Sequence, residues 1–363
     1  MNKINKVAVS IVLPCYNSEK VIKKVVDNLL STKYKNFELV IIDDGSIDNT
    51  YNVLRKYYSK NPKIRIYRNH KNLGIAPTKD RGIKLARGKY ISIMETDMEV
   101  DPGWLSPVVR ELDTNFRLAG VQSKILDIRN KKLIETYGSL LVPQTFWVIT
   151  KGISQHKDKF NKKEYAGIGL GGVTLRKSVL RKIGGYDEKC QYAQGDADSN
   201  WPIWIMGYKT VAIPDSLVYH ETAKPISKSK VKGFIREFHF HKTPRVFLKN
   251  YETKNIVRYL PQLLFIYLVR DIRHLLKRNY YPILGLFAAA AWNIWVLPDT
   301  LRRRAEIQKL RKRSDEQVSK DICVEGTFYN IYKSKLMPVI AAFENYSEDK
   351  TLKELNKTKF SNI

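Results

Sequence analysis

The chain has 363 residues, 43% of them hydrophobic, and carries a formal net charge of +28. That length buries a core without staples. The three cysteines, Cys15, Cys190 and Cys323, are far apart and match no metal or redox spacing, so they read as small buried hydrophobes in a reducing compartment. The charge leaves nucleic acid, an anionic membrane surface and phosphorylated substrates as candidate partners.

The N-terminal MNKINKVAVSIVLPCYN has lysines and then a short apolar run that alternates and ends in Pro14. It reads as a strand and not as a signal peptide, which puts the chemistry in the cytoplasm. Val7–Leu13 is that strand. Ser18 is placed to cap a helix whose apolar positions, Val21, Ile22, Val25, Val26, Leu29 and Leu30, share one face. Phe37–Ile42 is a second strand, stopping at Asp43-Asp44-Gly45-Ser46. Asp48 or Asn49 caps the next helix, bearing Val53, Leu54, Tyr57 and Tyr58. A strand at Lys63–Tyr67, a helix at Leu73–Ala86 and a strand at Lys89–Met94 follow. The order β-α-β-α-β-α-β with continuous apolar strands implies a parallel sheet covered by helices on both sides. Ligands bind such sheets beyond the strands' carboxyl ends.

The last of these strands runs straight into Glu95, Asp97, Glu99 and Asp101. Four carboxylates this close repel one another, and a chain tolerates that best around a cation. Oxygen-only ligands suit Mg²⁺ or Mn²⁺. On spacing alone, a solvated acidic turn is the equal alternative. Three strand ends converge on this edge: Pro14-Cys15-Tyr16-Asn17, Asp43-Asp44-Gly45-Ser46 and Glu95-Thr96-Asp97. An aromatic, paired carboxylates and a cation site suit a nucleoside diphosphate. No GxxxxGK[ST] is present. The glycine run from Gly167 to Gly172 follows a Lys-rich loop and precedes a strand-like segment, so it is a poor dinucleotide fingerprint.

VSIVLPCYN, FELVIIDDGSIDNT, NLGIAPTKDRGIKLARGKYISIMETDMEV, GGVTLRKSVLRKIGGYDE and GDADSNWPIWIMGYKTVAIPDSLVYH resemble, in order and spacing, the successive blocks of the family 2 glycosyltransferases. The resemblance covers about residues 7–220. It implies an inverting α/β enzyme of the GT-A, Rossmann-like class, with a mostly parallel sheet flanked by helices. By the same resemblance Pro14, Tyr16, Asn17 and Glu19 line the base pocket, and Asp43 or Asp44 bonds the base of a UDP-, GDP- or dTDP-linked sugar. Lys79 stands where the family often has Arg, and Asp80 replaces its usual Asn. Glu95-Thr96-Asp97 replaces the usual Asp-x-Asp: Thr96 falls to the donor, and Glu95, Asp97 and His220 to the cation. Glu99 falls where some polyprenyl-phosphate sugar synthases have another ligand. Asp196, then Asp198, is the candidate base for the acceptor hydroxyl, with helix capping as the alternative for both. Gly171 and Gly172 fall under the acceptor. Trp201 and Trp204 are candidate sugar-stacking residues, and core packing fits their spacing equally well.

Residues 1–223 are thus expected to form the catalytic domain, with a nucleotide-sugar half to about 115 and an acceptor half from about 116, including a strand at Leu118–Leu126. The region 224–320 is a C-terminal amphipathic and hydrophobic helical part. It carries 22 Lys/Arg against 7 Asp/Glu. Its two charge-free stretches are Tyr259–Val269 and Asn279–Pro298; the first is too short to span a bilayer and the second barely long enough. Basic clusters flank both, and spanning would leave one cluster outside, against the positive-inside rule. In-plane attachment to the cytoplasmic face satisfies both clusters, and a soluble helical subdomain is the plain alternative. Residues 321–363 read as a polar end. The acceptor class is a glycan or a polyprenyl-linked glycan. Rival readings are a polyprenyl-phosphate sugar synthase and a basic nucleic-acid-binding protein; the strand-end carboxylates repel nucleic acid and argue against the latter.

Overall fold

The structure, a computed structural model, describes residues 7–169, 171–190, 193–221, 238–239, 241–276, 278 and 280–324. These fall into two compact units. One holds the described residues within Met1–Ser139, Thr150–Gln191 and Tyr208–Thr222; the other holds those within Leu140–Ile149, Tyr192–Gly207 and Ala223–Ile363.

In chain order the strands are β1 (Val9–Cys15), β2 (Phe37–Asp43), β3 (Ile64–Arg68), β4 (Tyr90–Ile93), β5 (Met98–Val100), β6 (Leu118–Asp127), β7 (Ile134–Thr136), β8 (Ser139–Val142), β9 (Trp147–Thr150), β10 (Glu164–Tyr165), β11 (Val173–Arg176) and β12 (Lys209–His220). The sheet of the first unit has the order β10-β12-β6-β11-β4-β1-β2-β3, with β5 on β12 and β7 on β6. From β4 through β1 and β2 to β3 every pairing is parallel. β11 enters antiparallel between β4 and β6, while β6 and β12 again run parallel. The expected parallel run is present, and its first two strands are buried throughout because helices cover both faces.

Those helices are α1 (Ile22–Leu30), α2 (Thr50–Tyr58), α3 (Ile75–Leu85), α4 (Leu105–Thr114) and α5 (Lys177–Lys182). α1 buries Ile22, Val25, Val26 and Leu29, the face its spacing predicts. Ser18 starts it through its carbonyl, which accepts from Val21 N (3.0 Å) and Ile22 N (2.8 Å), and not through its hydroxyl. Asp48 Oδ1 accepts from Thr50 N at 3.0 Å, capping the first turn of α2.

The second unit contains α6 (Ala193–Ile205), α7 (Thr243–Asn250), α8 (Thr253–Leu276), α9 (Tyr281–Trp295), α10 (Leu297–Lys309) and α11 (Asp315–Ile322). Its core is aromatic: Phe146, Trp201, Phe247 and Tyr251 meet at ring-centroid distances of 4.6–5.2 Å. Arg245 pairs with Asp299 at 2.7 Å and Arg311 with Asp315 at 2.9 Å, so the basic region neutralises part of its own charge internally. Among the described residues no single helix is long and apolar enough to cross a membrane. The pair Ile283–Trp295 and Leu297–Lys309 passes that test only together, across a 62° bend.

Candidate active site

The parallel strands bring their carboxyl ends to one edge: Cys15 from β1, Asp43 from β2, Ile93 from β4, and Asp127 paired with His220 from β6 and β12. Because β11 runs against β4, with Val173 opposite Ile93, the preceding Gly171 and Gly172 reach the same edge.

The first two loops are laced together. Asn17 N donates to Ser46 Oγ (2.9 Å), Ile47 N to Asn17 Oδ1 (3.0 Å), Ser18 N to Thr50 Oγ1 (2.7 Å) and Glu19 N to Asp48 Oδ2 (3.1 Å). Asn49 donates twice to the Glu19 carboxylate, at 3.2 and 3.1 Å. Asn17 sits at φ 48°, a left-handed conformation that Asn tolerates. Tyr16 is left exposed at this edge. Pro14 is not. It is a buried member of β1 opposite Ile42, so the expected pocket-lining role does not hold for it. Its missing N–H is tolerated because the β4 pairing ends two residues earlier, at Val12.

Asp43 and Asp44 are both buried. Asp43 Oδ1 accepts from the Ser46 amide and hydroxyl, and Arg68 Nε lies 3.1 Å from Oδ2. Asp44 Oδ1 accepts from Asn69 Nδ2 (2.6 Å) and Leu73 N (3.0 Å), and Oδ2 from Gly74 N (3.0 Å). The Asp44 Oδ2 atom thus keeps capacity for one more donor.

Glu95, Asp97 and His220 form a cluster whose ligand atoms all lie within 4.8 Å of one another. The backbone explains it. Met98 N bonds Glu95 O at 3.2 Å, closing a turn after β4, and β5 then pairs with β12 so that Met98 faces His220. Glu221 N bonds Asp97 O at 2.9 Å. His220 Nε2 lies 3.3 Å from Asp97 Oδ2, and Nδ1 lies 2.6 Å from Glu135 Oε1. Burial pulls the His220 pKa down, but the hydrogen bonds and charges of Asp97 and Glu135 more than offset it and raise it to about 10. Asp97 keeps 42% of its side chain exposed. Two carboxylates and an imidazole at this spacing fit a divalent cation, which takes a few protein ligands and completes its shell with phosphate oxygens and water.

The other two acids of the motif do different work. Glu99 points the other way along β5 and pairs with Lys24 of α1, outside the cluster. Asp101 Oδ1 accepts from Gly103 N (2.8 Å), turning the chain into α4. Lys79 is buried and pairs with Glu95 at 2.7 Å, so a residue expected to meet the donor also holds an expected cation ligand. Thr96 is half-buried in the Glu95–Met98 turn. Asp80 is buried and pairs with Lys84 at 2.6 Å.

A Cβ on Gly171 would collide with the Met98 side chain, and Gly172 has φ +59°. Gln122 fixes this segment: its Nε2 donates to Gly171 O (2.9 Å), and its Oε1 accepts from Gly169 N (2.8 Å). Glycine here keeps the chain close beside Met98 and the Glu95 turn.

Three further expectations concern α6. It starts at Ala193 and not at Ser199, so Asp198 lies inside the helix, away from the position of a cap. The Asp196 side chain lies outside what the structure describes. Asp198 is buried, accepting from Lys249 Nζ (2.7 Å) and Asn250 Nδ2 (3.0 Å), which corrects its reading as a second base. Trp201 is fully buried and donates to Asp315 Oδ1 at 3.2 Å; Trp204 is also buried. Neither ring has a face for a sugar, so of the two equal readings, sugar stacking and core packing, the rings fit core packing. Glu135 was not legible in the sequence. It stands in a three-residue strand with no motif around it, and only the fold brings it to His220.

Residues 10–184 match the profile of glycosyl transferase family 2. The chain is 33% identical over 89 residues to glycosyltransferase GlyG of Streptococcus pneumoniae serotype 4, a match covering 24% of this chain and 30% of GlyG. It therefore spans less than a third of that relative's length. It is 26% identical over 238 residues to the UDP-Glc:alpha-D-GlcNAc-diphosphoundecaprenol beta-1,3-glucosyltransferase WfaP of Escherichia coli, covering 63% of this chain and 83% of WfaP. Among solved structures, the mannosyltransferase PcManGT from Pyrobaculum calidifontis, in complex with GDP-Man and Mn²⁺, aligns with a TM-score of 0.50 at 16% identity. That alignment covers 94% of this chain and 88% of PcManGT, a likeness of fold. The ends of β1, β2 and β4, the loops they carry and the acidic turn thus sit within residues 10–184, the region that matches glycosyl transferase family 2, while His220 lies beyond it.

Proposed function

We propose that this protein transfers a glycosyl unit from a nucleotide-sugar to an acceptor hydroxyl, with inversion and with a divalent cation, Mg²⁺ or Mn²⁺. The observation that carries this reading is the Glu95, Asp97 and His220 cluster at the carboxyl edge of a family 2 sheet. A bound cation supplies charge to the diphosphate as the nucleotide leaves. Asp97 and Glu95 hold it with His220. Tyr16 gives the nucleotide base an exposed ring, and the spare Asp44 Oδ2 accepts from a base N–H. Lys79 turns its ammonium from Glu95 to the phosphates. Gly171 and Gly172 leave room beside the reacting carbon. Asp196 takes the acceptor proton. Transfer assays of the purified chain with UDP-, GDP- and dTDP-sugars, with and without Mn²⁺, test this; no cation-dependent turnover or donor hydrolysis with any of them would refute it.

The acceptor we infer is lipid-linked or a growing glycan, met at the cytoplasmic face of the membrane. WfaP, by its name, uses a diphosphoundecaprenol-linked sugar. Support from this chain comes from α8 and α9. α8 buries Leu263, Tyr267 and Asp271 along one stripe and exposes Val257, Leu264, Leu268, Ile272 and Leu275 along another. In α9, Phe287 is 68% exposed, and Trp295 at its end is 76% exposed. Apolar stripes with Trp at one end and Lys/Arg around them suit helices lying in the interface of an anionic leaflet. The synthase alternative, with a bare lipid phosphate as acceptor, loses its main support because Glu99 pairs with Lys24.

A further inference from the structure

We propose that Glu135 is the positioning residue that aims His220 at the cation. This rests on the cation reading above and adds to it a residue outside the ligand cluster.

β7 pairs antiparallel with β6, but the register slips: Ile125 faces Thr136 and Leu126 faces Ile134. Two neighbours on β6 thus face residues two apart on β7, and Glu135 is the extra one. A bulge of this kind bends the strand and re-aims a side chain. Here it turns Glu135 to His220 Nδ1, at 2.6 Å. The backbone is held independently of that side chain. Ile134 N donates to Gln155 O (2.8 Å), Ser154 N donates to Ile134 O (2.8 Å), and Ile134 is buried in a small core with Leu126, Tyr137 and Phe160. The bulge therefore has support enough without the carboxylate, and the carboxylate has a partner of its own.

The geometry of His220 gives that partnership its meaning. Its Nε2 faces Asp97 Oδ2 at 3.3 Å, on the side of the cluster that includes Glu95. An imidazole ligates a metal through one nitrogen while the other donates N–H to an acceptor, which fixes both the tautomer and the ring angle. Glu135 is that acceptor on Nδ1. It is absent from the set of mutually close ligand atoms, so it acts through His220 and not on the cation itself. Without it, the ring at the end of β12 is free to turn, and Nε2 loses its fixed aim.

The test is Mn²⁺ binding to the full-length chain, followed by electron paramagnetic resonance with MnCl₂ alone, together with thermal melts in the absence of metal. Glu135→Ala should weaken Mn²⁺ binding by roughly 10–100-fold, the usual effect of removing such an outer partner, while the metal-free melt stays near that of the unaltered chain. Glu135→Gln keeps an acceptor oxygen for Nδ1–H and should recover most of the affinity. Glu135→Val, better suited to a strand, provides the same truncation should alanine disturb β7. In a cycle with His220→Ala, the second substitution should add little to the first. Equal Mn²⁺ affinity in the Ala and Val variants and the unaltered chain would overturn the proposal, as would fully additive losses in the cycle. If the unaltered chain binds no Mn²⁺, the cation reading itself fails and this inference fails with it.

Discussion

Lys79 and Glu95 lie 2.7 Å apart with Lys79 almost fully buried, and the pair sets up a competition. A cation arriving at Glu95 must share that carboxylate with an ammonium, and like charges this close repel. Replacing Lys79 with Met should therefore tighten Mn²⁺ binding to the donor-free protein by about three- to tenfold, on the order of 1 kcal/mol for a partly exposed site. The same change should raise the KM for donor, because the ammonium no longer reaches the phosphates. Titrations of Mn²⁺ alone, set against donor kinetics, separate the two effects; a parallel loss in both would show that Lys79 simply holds Glu95 in place. Asp97→Ala, at an exposed side chain, should leave the melt unchanged and lower cation-dependent transfer by about 10²-fold or more, since the cation's contribution is several kcal/mol. Much of the proposed cation site was legible from residue types: acids of odd spacing after an apolar strand mark an edge where charge gathers. Residue types alone did not say which of the four acids would gather with His220; the family resemblance pointed to Glu95 and Asp97, the two that do. Glu99 and Asp101 have the same chemistry as Glu95 and Asp97, and only the pleat of β5 and the start of α4 turn them elsewhere.

At the level of elements, α6 shows how a family block can be read for the wrong reason. Asp198 looks like a polar residue near a helix start, yet α6 begins five residues before it, and its carboxylate ties α6 to Lys249 and Asn250 of α7. Removing one partner of a buried ion pair strands the other. Asp198→Ala should cost about 3–5 kcal/mol in chemical denaturation, and Asp198→Asn less, since the amide still accepts a hydrogen bond. A variant of normal stability that has lost turnover would instead restore Asp198 as a base. Trp201 and Trp204 follow the same logic: their helical spacing fitted either a sugar platform or a core, and the aromatic partners that decide it for Trp201, Phe146 and Tyr251, come from distant segments. The parallel strands, by contrast, were placed to within about two residues, because a buried strand writes its apolar run locally. The apolar stripes of α8 and α9 yield a prediction of their own. The double substitution Phe287→Glu and Trp295→Glu should reduce co-sedimentation with vesicles containing anionic lipid by tenfold or more, given about 25 cal/mol per Å² of apolar surface withdrawn, and leave the melt unchanged. Binding unaffected by these changes and by added salt would remove the membrane from the account.

For the molecule as a whole, the net charge of +28 and the basic region from 224 to 320 promised an anionic partner without naming it. Part of that charge is now accounted for internally, by Arg245 with Asp299, Arg311 with Asp315 and Lys249 with Asp198. The sequence suggested a change near residue 223, but not that two earlier segments belong to the second unit. Residues 140–149 and α6 leave the first unit and join the C-terminal helices, so the chain returns to the sheet twice, and no change of composition marks those crossings. What the sequence did carry was the edge of the sheet, where the loops after β1 and β2 meet the acidic turn after β4. The account stands on that edge gripping a diphosphate through a cation. Calorimetric titration of the purified full-length chain with UDP, GDP and dTDP, each with Mn²⁺ and with chelator, measures this directly. We predict that at least one nucleotide binds with Mn²⁺ present, and that chelator or Asp97→Ala abolishes most of that binding. Binding of none of the three under either condition, or binding indifferent to both the cation and Asp97, would contradict it.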